Sequence, residues 1–290
     1  MIGFWLANLV VPSDPEAIQI ESLEGTWELQ RVSEYAQQKK AMMETGRCAV
    51  TYSAMHPASL DNGSPEVEQA HDDFLALCLG SSYLTGMSVT PRRSLPHSDV
   101  TILQPGDHFP RDRSIPIASP VVNTAGEFKD ALESFITNCR KNGKTEKILL
   151  ITHHLLDTLA CWSLEDLYLS ATTVLQIIGA TENRIQSKRA TEKRIQSKDL
   201  SFFKAIQGAS SRHGVLPLSA DFKSMRNDLI HDGTLSGTRF SDQDKESCSQ
   251  VACEVLNWID RYLHAALGLG NVRRTRFSPH DFIALNAYSL

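Results

Sequence analysis

Ser163-Leu-Glu-Asp-Leu-Tyr-Leu-Ser-Ala-Thr-Thr-Val-Leu-Gln-Ile-Ile-Gly179 sets Leu164, Leu167, Ala171, Val174, Leu175 and Ile178 at the three- and four-residue spacing of one helix face. Ser163 and Asp166 make a capping-box-like start, and Gly179 predicts the end. Just upstream, Ile148–Ala160 is apolar on nearly every side, which predicts a central, buried helix. Glu127–Arg140 carries Phe128, Leu132, Phe135, Ile136 and Cys139 along one side. Two more helices are predicted near Ala220–His231 and Asp244–Leu267, the last with Cys248, Val251, Val255, Ile259, Tyr262 and Ala266 on one face. Residues 124–290 thus read as an all-α domain.

Upstream the pattern changes. Ile2–Val11, Thr26–Val32 and Cys48–Ala54 are short runs with β-branched and aromatic content, bounded by Pro, Gly and polar residues, and they predict strands. A helix is expected over Val67–Leu84, stopped by Gly86. Residues 87–123 hold Pro91, Pro96, Pro105, Pro110, Pro116 and Pro120, a density that forbids long helices, with one strand-like piece at Val100–Leu103. The fold class is therefore α+β: a mixed, strand-containing region at 1–123, with a sensor role as its expected function, and a helical domain at 124–290.

The composition is that of a globular protein, 41% hydrophobic and 22% charged, with a net charge of −5 that does not suit a surface coated in basic groups for nucleic acid. Residues 1–150 carry 13 Lys/Arg against 19 Asp/Glu, and residues 151–290 carry 16 against 15, so any nucleic-acid contact is expected in the second half. The six cysteines form no CxxC pair and several lie in apolar runs, as buried reduced thiols do. The apolar start, Ile2–Pro12, lacks a basic leader, and no segment reaches the ~20 apolar residues of a membrane span. A soluble, cytoplasmic protein without membrane attachment is expected.

A decapeptide repeats: Thr181-Glu-Asn-Arg-Ile-Gln-Ser-Lys188 and Thr191-Glu-Lys-Arg-Ile-Gln-Ser-Lys198. Its period matches neither a heptad nor a solenoid. With six basic and three acidic side chains over 181–200, it reads as a lengthened solvated helix or loop, or else as a basic finger touching RNA.

The segment that bears on chemistry is Arg226-Asn-Asp-Leu-Ile-His231. Seventeen arginines and ten histidines in this chain produce about 0.6 such Arg-x4-His spacings by chance, so the spacing alone decides nothing. Arg92-Arg-Ser-Leu-Pro-His97 has the same spacing, but its proline and its proline-rich surroundings keep it out of a helix. Arg226 lies instead on a helix expected to start after Pro217, with Ser219 as N-cap, and Gly233 just past its end. Five residues of helix advance about 500°, leaving two side chains roughly 140° apart, so they converge only if the helix unwinds at His231.

Arg-Asn followed by apolar residues, His and then Gly, late in a helical bundle, resembles HEPN domains. The likeness is to those that end bacterial abortive-infection proteins of the ApeA-like type, and it covers about residues 145–267 through the Arg-Asn-x-x-x-His core and the helices at 148–160 and 163–178. The resemblance implies a homodimer joined through these helices and a metal-independent endoribonuclease that leaves a 2′,3′-cyclic phosphate on single-stranded RNA or tRNA. The alternative it allows is an inactive module that serves as a binding or oligomerisation scaffold. No cofactor is implied.

The residue chemistry is coherent with this. Attack by a ribose 2′-OH needs a base, for which the His231 imidazole suits neutral pH. Charge then grows on phosphoryl oxygens, which the Arg226 guanidinium can bind in pairs. Asn227 would orient the imidazole or contact the phosphate; Asp228 beside the site would repel phosphate unless it points away. The bland reading is that Arg226 pairs with Asp228, Asp232 or a neighbouring helix and His231 caps a helix end. Elsewhere, His153 and His154 point about 100° apart and cannot share a metal as i,i+4 histidines do. Walker A, GxSxG and HExxH sequences are absent, and Gly80-Ser81 lacks the aspartates of a nucleotidyltransferase. Arg273, Arg274 and Arg276 read as an exposed basic tail, an RNA contact or a dimer arm.

Overall fold

The computed structural model describes residues 1–57, 65–99, 118–192, 200–235, 244–269 and 275–289. They form two compact units, Met1–Lys141 and Asn142–Leu290. The fold is α+β, an antiparallel sheet followed by helices.

In the first unit, β1 (Ile2–Ala7), β2 (Ala17–Ser22), β3 (Gly25–Arg31), β4 (Val50–His56) and β5 (Thr90–Ser94) make one antiparallel sheet in the order β2-β3-β4-β1-β5. The expected runs supply β1, β3 and β4. β2 and β5 were not expected, nor was α1 (Tyr35–Thr45), whose weakly apolar sequence buries only Tyr35 and Met42. β5 accepts Pro91 because it lies at the sheet edge, where a missing N–H breaks no ladder. The strand-like piece at 100–103 lies outside the described residues.

α2 (Pro65–Thr85) and α3 (Ala125–Glu146) complete this unit. Gly86 ends α2 at φ +71°, in the left-handed region glycine favours. Phe74 of α2 stacks on Phe4 and Trp27 with ring centroids 4.3 and 5.2 Å apart. α3 buries Phe128, Leu132, Phe135, Ile136 and Cys139, the predicted stripe. It lies so close to α2 that a Cβ on Gly80 would sit 2.7 Å from Leu132, so Gly80 serves packing. The two units divide at 141/142, within α3.

The second unit holds α4 (Ile148–Thr158), α5 (Leu164–Glu192), α6 (Phe202–His213), α7 (Asp221–His231), α8 (Lys245–Ala266) and α9 (His280–Ile283). The Ser163 hydroxyl accepts from the Asp166 amide at 3.1 Å, the cap predicted for α5. Two expectations are corrected. α5 does not end at Gly179 but runs to Glu192: Gly179 is buried against α6, and Glu182 beyond it forms an ion pair with Arg212. Tertiary contacts here outweigh the ~1 kcal/mol that an interior glycine costs a helix. α4 is not the central helix, since Leu150 is 43% exposed; α5 and α8 carry the core.

Within the second unit a buried ionic group joins Glu146, in the last turn of α3, to α5, α6 and α8. Arg212 donates to both Glu146 carboxylate oxygens at 2.5 and 2.9 Å and to Glu182 at 2.8 Å. The Tyr262 hydroxyl donates to Glu146 at 3.1 Å, and Trp258 stacks on Tyr262. Burial of Glu146 works against its charge, yet His213 at 3.7 Å and the hydrogen bonds from Arg212 prevail and hold its carboxyl at about 2. The first copy of the repeat lengthens α5, as one reading of it expected, with Arg184 and Lys188 exposed, but Thr181 and Glu182 are buried, Glu182 at 1% exposure; the second copy lies largely outside the described residues. The basic-tail expectation also fails for Arg276, which is buried and ion-paired with Asp260 at 3.3 Å. Arg273 and Arg274 lie outside the described residues.

Candidate functional site

α7 positions the Arg-Asn-x-x-x-His segment. Its inward face is Phe222, Met225 and Leu229, the i, i+3, i+7 pattern of a helix docked along one side. The Tyr168 hydroxyl of α5 donates to the Phe222 carbonyl and ties down the first turn of α7. Ser219 is not the N-cap: its hydroxyl faces the Asp221 and Glu254 carboxylates at 3.4 and 3.3 Å, and Ala220 precedes the helix in helical backbone.

Arg226 lies at the border of the buried face. Its guanidinium carbon is 5.7 Å from the centroid of the Phe202 ring, within cation–π range. Its Nη1 donates to the Asn227 side-chain oxygen over a long 3.4 Å, and its buried Nε has no hydrogen-bond partner. The bland pairing of Arg226 with an acidic neighbour is not found: no ion pair links it to an acidic group among the described residues. His231 is exposed in the last turn of α7.

The two side chains are not brought together within one chain. The helix does not unwind at His231, the condition for their convergence: Asp232 continues in helical backbone with its N–H on the Asp228 carbonyl, and only Gly233 turns left-handed at φ +72°. On an unbroken helix Arg226 and His231 stay about 140° apart. Asn227 accompanies Arg226, not His231. The rival pair Arg92 and His97 lies on β5 and the turn after it, both exposed, and no helix presents them.

Beside Arg226 opens a pocket of about 280 Å³ lined by Gln176, Gly179, Ala180, Asn183, Phe202 and Arg226. The sequence reading missed it because it stopped α5 at Gly179. The spacing of 176, 179, 180 and 183 is the signal that could have found it, since these positions share one face of a continuous helix. The first unit has a pocket of about 340 Å³ at Asp14, Arg31, Tyr35 and Lys39, but its charges are engaged: Lys39 and the Tyr35 hydroxyl bind Asp14, and Arg31 donates to the Asp14 carbonyl.

No cysteine among the six forms a disulfide, and Cys78, Cys139, Cys248 and Cys253 are buried. Among the described residues no group of three or more His, Cys, Asp and Glu is placed to hold a metal ion, and no helix is long and apolar enough to cross a membrane. The rings of His153 and His154 stand 6.3 Å apart at 80°, and His153 faces Asp157 at 3.5 Å. In comparisons with known proteins the chain matches no family model, no curated protein and no solved structure.

Proposed function

We propose that this protein is a cytoplasmic, metal-independent endoribonuclease of HEPN type, an RNA-cleaving effector in phage defence or a stress response, with residues 1–123 sensing its trigger. The observation that carries this reading is the Arg226 guanidinium. It is held by packing on Phe202, free of acidic partners among the described residues, and beside an open pocket, five residues before an exposed histidine.

In the proposed reaction the His231 imidazole takes the proton of a ribose 2′-OH. The 2′-oxygen forms its bond to phosphorus, the bond from phosphorus to the 5′-oxygen breaks, and that oxygen takes a proton from water while the imidazolium returns its proton to solvent. The products are a 2′,3′-cyclic phosphate and a 5′-hydroxyl. Arg226 stabilises charge on the non-bridging oxygens. Since one helix holds the two groups apart, the site is completed by a second copy at a two-fold interface. Ile230, 48% exposed next to His231, gives that face of α7 apolar surface to bury. Incubation of purified protein with total RNA tests the reading; intact RNA across protein concentrations that support dimers would refute it. The separation of Arg226 from His231 within the chain favours the second reading, an inactive HEPN module that acts as a scaffold, and the same assay tells them apart.

A further inference from the structure

The pocket beside Arg226 is built for more than a phosphate. One face of α5 presents Gln176, Gly179, Ala180 and Asn183, so two carboxamides a pair of turns apart flank Gly179, which lets Phe202 pack close to the helix, and exposed Ala180, too small to fill the space beside that ring. The opposite side is the half-buried Phe202 ring, held edge-to-face on Phe222 with centroids 5.7 Å apart. Asn183 is engaged with the backbone of Leu200, while the Gln176 amide has no hydrogen-bond partner among the described residues and is exposed at the rim. Among the described residues no carboxylate lines the pocket, and Arg226 contributes a buried N–H without a partner.

A flat aromatic wall, a free amide offering a donor beside an acceptor, and a guanidinium together match the parts of one nucleotide: a base face, a base edge and a phosphate. The volume, near the lower end for small-molecule sites, suits one such group. We propose that this pocket receives a single unstacked nucleobase of the RNA strand, seated against Phe202 with its edge read by Gln176, while Arg226 holds the adjoining phosphate. The assignment of that phosphate rests on the ribonuclease reading above; the base pocket itself does not.

The test uses the full chain and fluorescein-labelled, fully 2′-O-methylated hexamers of adenosine, uridine and cytidine, which cannot be cleaved by 2′-OH attack, with affinity read by anisotropy. One hexamer should bind at least about 5-fold more tightly than the weakest, the low end of what a stacked, edge-paired base contributes. Gln176→Ala should reduce that preference to less than about 2-fold, and Ala180→Trp, which fills the pocket from an exposed position, should weaken all three hexamers. Equal binding of the three, no binding, or a preference that both substitutions leave intact overturns the proposal. So does competition by the free mononucleotide as strong as by the hexamer, which would make the pocket a site for a free nucleotide. A base preference in a protein that cleaves no RNA keeps the pocket and removes the ribonuclease; cleavage without base preference does the reverse.

Discussion

The side-chain amide of Asn183 holds the backbone of Leu200 from both sides: Nδ2 donates to the Leu200 carbonyl at 3.3 Å, and Oδ1 accepts from its N–H at 3.0 Å. The clasp joins the first copy of the decapeptide to the last residue of the second, two positions before Phe202. Asn183→Ala should therefore loosen the start of α6 and with it the Phe202 wall. Two lost hydrogen bonds correspond to about 1–2 kcal/mol of stability, read by denaturant unfolding. Hydrogen exchange should speed up at residues 200–203 more than at the centre of α8. Unchanged exchange at 200–203 would mean that the clasp does not hold Phe202 in place.

Arg226→Ala and His231→Ala should each abolish detectable cleavage, with losses of about 10²–10³-fold or more for a charge-stabilising donor and a general base. His231 is exposed, so its variant should unfold like the wild type. Arg226→Ala gives up packing on Phe202 and should cost about 1 kcal/mol, while Arg226→Lys keeps the charge and loses the paired donors. Arg92→Ala and His97→Ala share the spacing without the helix and should leave cleavage unchanged. Wild-type activity in both α7 variants would remove the site.

If the 2′-hydroxyl is the nucleophile, cleavage proceeds in EDTA and leaves 2′,3′-cyclic phosphate ends, which end-group analysis by mass spectrometry detects. A 2′-deoxy or 2′-O-methyl sugar at the cut should block it. Cutting of DNA, or activity that EDTA abolishes and Mg²⁺ restores, contradicts this route.

Acid should act on the helical unit through Glu146. Its carboxyl, held at about 2 against an ordinary 4.5, contributes stability that is complete above roughly pH 4.5 and lost as the pH falls through about 2. Glu146→Gln should remove on the order of 3 kcal/mol at pH 7 and flatten the pH dependence of unfolding between 2 and 4.5. Trp258, stacked on Tyr262 beside the ion pair, gives a fluorescence signal for the transition. An unaltered acid profile in the variant would show that Glu146 is not the group responsible.

The legible parts of the fold were those with strong periodicity. The stripe of α3, the Ser163 start of α5 and the face of α8 follow from apolar spacing because each helix buries one side. α1 and β5 escaped notice since neither has an apolar pattern; they are fixed by the sheet they pack on. At the candidate site, the position of Arg226 and His231 near the end of a short helix was readable, but the state of Arg226 was not. The partnerless Nε and the pocket depend on α5 continuing past a glycine, and that depends on Glu182 finding Arg212 thirty residues away. A charged residue in a polar repeat gives no local sign that it will be buried.

The active unit should be a dimer joined through the helical domain. On an unbroken α7, Arg226 and His231 face directions about 140° apart, so one chain presents a phosphate clamp without a base at the same phosphate. A two-fold axis beside α7 pairs the Arg226 of one chain with the His231 of its partner and brings both Arg226 guanidinium groups to a single groove. Exposed Ile230 would be covered in that arrangement. Mixing Arg226→Ala chains with His231→Ala chains should restore part of the activity, since heterodimers then keep one Arg226 and one His231 on different chains. Ile230→Asp should shift light scattering toward the monomer and lower cleavage in proportion, without changing the melting behaviour of the first unit. Full activity in a monomer at all working concentrations, with no association on adding RNA, would leave the 140° separation unexplained and end the composite-site proposal.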